Sequence, residues 1–388
     1  MALKAPRHIS AIPVEIWAET FEYFAPTPRQ GPFTTDVHSD AIREGVTWIA
    51  PGGHSLESLS QVCSLFYNLA MRLVRRLMLV TRRYDLQFWS ERVARFGKGN
   101  LTRRLEIIDV RSGALLPLLQ QLPKIQDIYL RNSLSATTAV SHTTDLAEPT
   151  YQHLTNLTLS GLSPRDIADV LSRLSTAAKA LQRLWIPRAR SEDGRSMALM
   201  GRYMLPCLEW LIVGSTTRRG WGGDGLGALL RLLTEMFDLP RLRRVDNFDG
   251  CQHSFFATFG AALEVVAIAS NDFRLASNVD LAAECPQLRT IIIALVSQDG
   301  FSKRLILPPT VNRLVLRVPH YPSMQHRQGE EEGLGRLRVA LYDIARRRLP
   351  SVETIGVSGI TDWGRTSGWY CRLVTTLRDQ GKQVVETM

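Results

Sequence analysis

The stretch IQDIYL (residues 125–130) decides the fold, because its spacing of apolar residues returns many times along the chain. The stretches LTNLTL (154–159) and LEWLIV (208–213) repeat it, with apolar first, fourth and sixth residues. The fourth and sixth residues are two apart, which is the period at which side chains alternate between the faces of a β-strand. Each unit therefore predicts a short strand with one buried face.

A repeat emerges when all such units are collected. Their first residues are Val74, Leu105, Ile125, Leu154, Leu181, Leu208, Leu242, Leu263, Leu288, Val311 and Val352. Successive units begin 20 to 41 residues apart, and most spacings lie near the roughly 20–29 residues typical of leucine-rich repeats. An apolar or small residue often stands three positions before a unit, as at Leu122, Leu205, Leu239 and Cys285. The asparagine that often follows such a unit is mostly missing, so the repeats are degenerate.

The segments between units predict helices. SPRDIADVLSRL (163–174) begins with a capping residue, a first-turn proline and an early acid, and residues 226–237 and 332–348 predict two more helices. Alternating strands and helices predict an α/β fold in which residues 73–388 form a degenerate leucine-rich-repeat solenoid, with a curved parallel sheet and the helices outside it. A doubly wound α/β domain is the alternative interpretation.

The first 70 residues carry a different pattern. IPVEI (12–16) suits the first turn of a helix, and apolar residues then recur at helical spacing through Phe21. Residues 25–53 contain four prolines and end in Pro-Gly-Gly, which predicts a long loop. LESLSQVCSLFYNLA (56–70) places its apolar residues on one face of a second helix. We expect a helical motif over residues 9–72, interrupted by a loop at about 25–54.

These two segments resemble the F-box of the large fungal family of F-box/leucine-rich-repeat proteins. In that family a proline-led helix precedes an LxxLSxVC helix that ends in an aromatic residue. Here a longer loop separates the two segments, and Phe66 stands where tryptophan is common. The resemblance implies a substrate-recognition subunit that docks onto a Skp-type adaptor and, through it, a cullin–RING ubiquitin ligase. The implied adaptor-binding residues are Ile12, Pro13, Ile16, Phe21, Leu56, Leu59, Val62, Cys63 and Phe66. A purely structural role, capping the N-terminal end of the solenoid, is the alternative.

Substrate contacts are predicted on the strand face opposite the buried one. Strand alternation turns the residues that flank the inward pair toward this face. Aromatic residues and arginine dominate interface hot spots, so Tyr129, Arg131, Trp185 and Trp210 are the predicted substrate-binding residues. Asp246 and Arg317 are expected on the same face.

No catalytic motif accompanies these patterns. The five cysteines are far apart and the eight histidines form no metal-binding spacing. GWGGDGLG (220–227) lacks the lysine and the spacing of a phosphate-binding loop. We therefore expect a protein that is not an enzyme and holds no metal or cofactor. The N-terminus has no apolar core typical of a signal peptide, and no apolar run reaches the roughly 20 residues of a membrane span, so we expect a cytoplasmic or nuclear protein without a membrane partner.

The net charge of +10 favours an acidic partner, and arginines such as Arg243 and Arg244 often flank the strand units. The irregular period leaves it open whether these arginines align in space. The sequence contains no known nucleic-acid recognition motif, which disfavours nucleic acid as the main partner. Two alternative functions remain open: a stand-alone leucine-rich-repeat interaction scaffold, and a basic nucleic-acid-binding repeat protein.

Overall fold

The structure is a computed structural model that describes most of the chain from residue 77 onward and two short pieces before it. The described residues are 16–17, 65–66, 77–80, 86–96, 99–108, 115–131, 151–190, 201–214, 225–247, 253–269, 280–295, 307–318, 326–347, 349–360 and 362–387. The chain forms two compact units, the first of residues 1–158 and 176–180 and the second of residues 159–175 and 181–388.

The first unit contains a parallel ladder of strands with helices between them. Its described elements are β1 (Leu77–Val80), α1 (Leu86–Phe96), β2 (Arg104–Ile108), α2 (Leu116–Gln120) and β3 (Asp127–Arg131). Strand β2 pairs in parallel with both β1 and β3. Next come β4 (Asn156–Leu162) and α3 (Pro164–Ala177), each of which has residues in both units.

The second unit continues the alternation of strands and helices. Its described strands are β5 (Arg183–Ala189), β6 (Tyr203–Met204), β7 (Trp210–Val213), β8 (Phe237–Asp238), β9 (Arg244–Asn247), β10 (Val265–Ala269), β11 (Thr290–Ala294), β12 (Arg313–Arg317), β13 (Thr354–Ser358) and β14 (Gln383–Thr387). Its described helices are α4 (Gly225–Met236), α5 (His253–Phe259), α6 (Leu281–Glu284), α7 (His326–Arg347), α8 (Asp362–Thr366) and α9 (Gly368–Asp379). The main sheet has the order β5-β7-β9-β10-β11-β12-β13-β14 with parallel pairing, and β6 and β8 form a separate parallel pair.

Equivalent apolar residues of successive strands lie side by side in the core of the second unit. The aligned inward residues are Leu184, Leu211, Val245, Val266, Ile291, Leu314 and Ile355, all of them 0% exposed. Each is the fourth residue of a unit found in the sequence. Burying one such side chain stabilises the fold by about 1.5–3 kcal/mol, so this row is a main source of cohesion between strands.

Several strands of the repeat are preceded by the same turn. The Leu208 N–H donates to the Leu205 carbonyl and the Leu242 N–H to the Leu239 carbonyl, at 3.3 and 3.1 Å. Equivalent bonds join Ile125 to Leu122 and Leu288 to Cys285. The small or apolar residue three positions before a unit thus marks the start of the turn that directs the chain into the strand.

The helices begin and pack as their sequences indicate. Helix α3 starts at Pro164, where the Ser163 hydroxyl oxygen accepts a bond from the Asp166 N–H at 3.1 Å and caps the first turn. Helix α7 buries Leu337, Leu341 and other residues at a spacing of three to four along one face. The prediction of an α/β protein with a large parallel sheet is confirmed, and helices α4 and α7 lie where residues 226–237 and 332–348 predicted them.

The register corrects two of the predicted units. Leu105 pairs with Ile128, so it is the fourth residue of its unit, and the first is Thr102, which is 2% exposed. A unit beginning at Val74 would turn Leu77 inward, yet Met78 pairs with Leu105; Val74 itself lies outside the described residues. Both units were assigned the wrong first residue because their true first position is polar. It is Thr102 in the unit of β2 and an arginine in the unit of β1.

Candidate functional site

The sheet of the second unit presents two rows of side chains on the face opposite the inward row. The first outward row consists of Arg183, Trp210, Arg244, Val265, Thr290, Arg313, Thr354 and Gln383. The second outward row consists of Trp185, Ile212, Asp246, Ala267, Ile292, Val315, Gly356 and Val385. The two rows are two residues apart along every strand, so both point to the same face.

The two outward rows differ in accessibility. In the second row Trp185 is 8% exposed, Ile212 5% and Asp246 0%. In the first row Arg183 and Arg313 are exposed, and the other residues through Thr354 are half-buried. The first outward row is therefore the part of this face that a ligand reaches, and the second row supports it from below.

Four residues at one end of these rows form a compact arginine–tryptophan cluster: Arg183, Trp210, Arg244 and Asp246. The guanidinium carbon of Arg244 lies 3.9 Å from the centre of the Trp210 ring, and that of Arg183 lies 5.2 Å from it. Because the two arginines stand on the strands to either side of Trp210, they flank the indole on both sides. Cation–π contacts of this kind contribute roughly 0.5–2 kcal/mol each.

Asp246 fixes the direction of the Arg244 side chain. Its carboxylate oxygens accept bonds from Nε at 2.8 Å and Nη2 at 2.9 Å, which is a two-point, charge-assisted contact. Both residues lie on β9, two positions apart, so their side chains leave the strand on the same face. The Trp210 indole nitrogen is buried and makes no hydrogen bond within the described part of the chain, so stacking holds the ring in place.

A third arginine lies within the electrostatic reach of the cluster. Burial lowers the pKa of Arg317 below its ordinary value, and the Arg244 charge lowers it too, while the Asp246 carboxylate opposes both effects. The Asp246 carboxylate thus interacts favourably with the positive charges of both Arg244 and Arg317. Because it is itself fully buried, it stabilises the arginines without presenting a negative charge to solvent.

The first unit carries a similar arrangement. On β2, Arg104 Nε donates to the Glu106 carboxylate at 2.7 Å, two residues along the same strand, as in the pair on β9. On the neighbouring strand, the Asp127 carboxylate accepts a bond from the Asn156 side chain. Tyr129 lies next to Glu106 in register. The outward face of this ladder is therefore polar as well, with its carboxylates buried and paired.

The predicted substrate-binding residues fall on both ladders. Tyr129 and Arg131 lie half-buried on β3, Trp210 lies in the cluster, and Trp185 is largely buried and donates its indole N–H to the Gly214 carbonyl at 3.4 Å. The sequence pointed to Trp210, Asp246 and Arg317, but not to Arg183 as a site residue. The signal that was missed is its position: Arg183 is the third residue of its unit, as are Trp210 and Arg244.

Of the predicted adaptor-binding residues, the structure describes two. Ile16 is 50% exposed, whereas Phe66 is 4% exposed and packs its ring edge-on against Trp17 with 4.7 Å between ring centres. The remaining predicted residues, Ile12, Pro13, Phe21, Leu56, Leu59, Val62 and Cys63, lie outside the described residues. The two N-terminal segments therefore contact each other through Trp17 and Phe66. Of the four residues described in these segments Ile16 is the most exposed, whereas Trp17 and Leu65 are half-buried.

No protein-family model matches the chain. No curated protein matches it at a significant level either. Within the described residues, no group of histidine, cysteine and acidic side chains is arranged to hold a metal ion. In the same part of the chain, every helix is too short or too polar to cross a bilayer. The assignment of function therefore rests on the chain's own residues.

Proposed function

We propose that the protein is the substrate-recognition subunit of a Skp–cullin–F-box type ubiquitin ligase. In this proposal residues 9–72 form an F-box-like motif that binds a Skp-type adaptor, and residues 73–388 form a degenerate leucine-rich-repeat solenoid that binds a protein substrate. The protein acts by bringing substrate and ligase together, which raises the effective concentration of the substrate near the transferred ubiquitin.

The observation that carries the proposal is the pair of outward rows on the sheet of the second unit. A parallel sheet whose strands share one register offers a row of side chains at a spacing of roughly 4.7–4.9 Å, which suits recognition of another chain. The first outward row contains an accessible arginine–tryptophan cluster, and these residue types are enriched at the energetic centres of protein interfaces.

Two observations support the adaptor end of the proposal. The contact between Trp17 and Phe66 joins the two segments that resemble the halves of an F-box, even though a long stretch of sequence separates them. Ile16 stands beside this contact with half of its surface accessible, as expected for a side chain that inserts into a groove of a partner. Buried Phe66 would then support the adaptor-binding surface rather than touch the adaptor.

Co-purification with a Skp-type adaptor tests the proposal most directly. The full chain should retain the adaptor, and Ile16→Asp should reduce this retention at least tenfold, because a charge at an apolar contact is strongly unfavourable. The matched control is Val339→Asp, since Val339 is also an exposed aliphatic residue, 44% accessible, on helix α7. A combined Pro13→Ala and Leu59→Asp variant should lose adaptor binding as well.

The outcomes separate the proposal from its alternatives. Adaptor retention that is equal for wild type, Ile16→Asp and Val339→Asp would contradict the F-box assignment. A chain that binds partner proteins but no adaptor would be a stand-alone repeat scaffold. Retention on polyanion matrices with a steep dependence on salt would indicate a nucleic-acid-binding repeat protein instead.

A further inference from the structure

The arginine–tryptophan cluster carries more positive than negative charge. Among the described residues of the cluster, the two arginines, Arg183 and Arg244, stand against one carboxylate, that of Asp246, which is fully buried. Glu209, beside Trp210, is exposed, and Glu264 is paired with Arg243. Among the described residues of the cluster, a ligand therefore contacts the guanidinium groups of Arg183 and Arg244. The Arg244 group is already held in place by stacking on Trp210 and by its bonds to Asp246.

The donors that remain for a ligand are at two separate points. Asp246 uses Nε and Nη2 of Arg244, so Nη1 makes no hydrogen bond within the described residues. Arg183 contacts Trp210 by stacking and makes no hydrogen bond to the described part of the chain. Distances of 5.2 and 3.9 Å from the ring centre place the two guanidinium carbons up to about 9 Å apart, with the indole between them.

This geometry points to a particular ligand. We propose that Arg183 and Arg244 bind an extended acidic peptide in which two carboxylate side chains are separated by one residue. In an extended chain, residues two apart lie on the same side at a separation of about 7 Å, and flexible aspartate or glutamate side chains cover the remaining distance. Each carboxylate then meets one guanidinium, and Trp210 keeps the two arginines apart. The inference deepens the proposed function, on which it rests for the role of the peptide, by naming the class of substrate segment.

The arrangement of the indole disfavours a nucleic acid. Single strands are usually held by bases that stack on aromatic rings, but both sides of Trp210 are taken by guanidinium groups. Farther along the first outward row the next residues are Val265 and Thr290, so the positive charge does not continue as a track for a phosphate backbone. A single phosphoryl group would concentrate its charge at one point, whereas the cluster divides its charge between two.

Retention of the full chain on immobilised peptides tests the inference. The probes are short degenerate peptides with a fixed Glu-x-Glu, the same peptides with Gln-x-Gln, a third set with one phosphoserine in place of the pair, and oligouridylate. Wild type should be retained at least about tenfold better by Glu-x-Glu than by Gln-x-Gln, since charge-assisted contacts to two arginines are lost in the amide. Arg183→Ala should abolish this preference.

Arg313→Ala is the matched control, because Arg313 is an exposed arginine in the same row, five strands from Arg183 in the sheet order. It should leave the preference for Glu-x-Glu intact. Arg183 is exposed and contacts Trp210 at the longer of the two distances, so its removal should lower the thermal unfolding midpoint only slightly, and a loss of binding by the folded variant can be assigned to the cluster. Equal retention on both peptide sets, an unaffected Arg183→Ala variant, or stronger retention by phosphoserine or oligouridylate would each overturn the inference. Adaptor binding plays no part in this measurement, so the inference and the proposed function fail separately.

Discussion

The ion pair between Arg244 and Asp246 is the clearest place to test the energetics of the recognition face. Asp246 is 0% exposed, and the side chain of Arg244 is 27% exposed. We predict that Asp246→Asn destabilises the second unit. The substitution keeps the size of the side chain but removes its charge, which leaves two neighbouring guanidinium groups, Arg244 and Arg317, without the carboxylate that compensates them.

The magnitude follows from the geometry. Removing one partner of a fully buried ion pair costs about 3–5 kcal/mol. Arg244 keeps part of its hydration because it is partly exposed, and the asparagine carbonyl can still accept one of the two hydrogen bonds. Both effects place the expected loss near the lower limit, at about 3 kcal/mol, which is a large share of the roughly 5–15 kcal/mol by which natural domains are stable.

Urea unfolding followed by tryptophan fluorescence measures this loss, and the neighbouring pair provides the control. Arg243 and Glu264 also form an arginine–carboxylate ion pair, from the positions immediately before the adjacent strands β9 and β10, but their side chains are 58% and 40% exposed. Glu264→Gln should therefore cost less than about 1 kcal/mol. If Asp246→Asn costs no more than Glu264→Gln, the reasoning that Asp246 anchors the cluster is wrong.

Three further changes probe the fold by unfolding measurements. Gly335→Ala should stabilise the protein by about 0.5–1 kcal/mol, since Gly335 is an exposed residue inside α7 and a Cβ there meets nothing within 4 Å. Gly359→Ala should destabilise it by about 2 kcal/mol or more, because φ is +77° and the added Cβ would lie 2.3 Å from the Val318 carbonyl oxygen. Burial, with a smaller effect of Glu284, raises the pKa of the Cys285 thiol from 9.0 to about 12, so the folded state keeps this proton longer than the unfolded state does. Stability should therefore decline as the pH rises from 9 toward 12, and Cys285→Ala should reduce the loss measured between about pH 8 and pH 10 by about 1 kcal/mol; an unchanged loss would contradict the assignment.

The sequence predicted the inward row of the sheet because its signal is purely periodic. Leu208 and Leu211 are both 0% exposed, as the unit LEWLIV required. Even the irregular unit at Leu242 takes its place in register, through Val245, although Asn247 occupies its sixth position. The apolar pattern of the unit is kept because each strand buries the same two or three positions in the core, whatever the length of the segment before it.

Strand β14 went unpredicted because only one of its two inward positions, Val384, is apolar. Glu386 pairs in register with the fully buried Val357. Its carboxylate accepts a bond from the Tyr370 hydroxyl at 2.9 Å and pairs with Arg365 Nε at 3.1 Å, and it is exposed because β14 is the last strand in the sheet order, so an acidic residue is tolerated at this position. The unit also starts at a glycine, Gly381, instead of at a leucine. Side-chain partners of this kind cannot be read from one short stretch of sequence.

The cluster itself was hidden by the irregular period of the repeat. Two units begin at Leu181 and Leu208, 27 residues apart, and the next begins only after another 34 residues. An irregular spacing suggests that side chains on successive units fall out of line. The strands nevertheless keep one register, because the extra residues of the longer repeat lie in the segment that connects two strands and not in the strands themselves. Arg183, Trp210 and Arg244 therefore meet in space as third residues of their units. Aligning degenerate repeats on the buried fourth residue, and then comparing the third, would have placed two arginines around a tryptophan from the sequence alone.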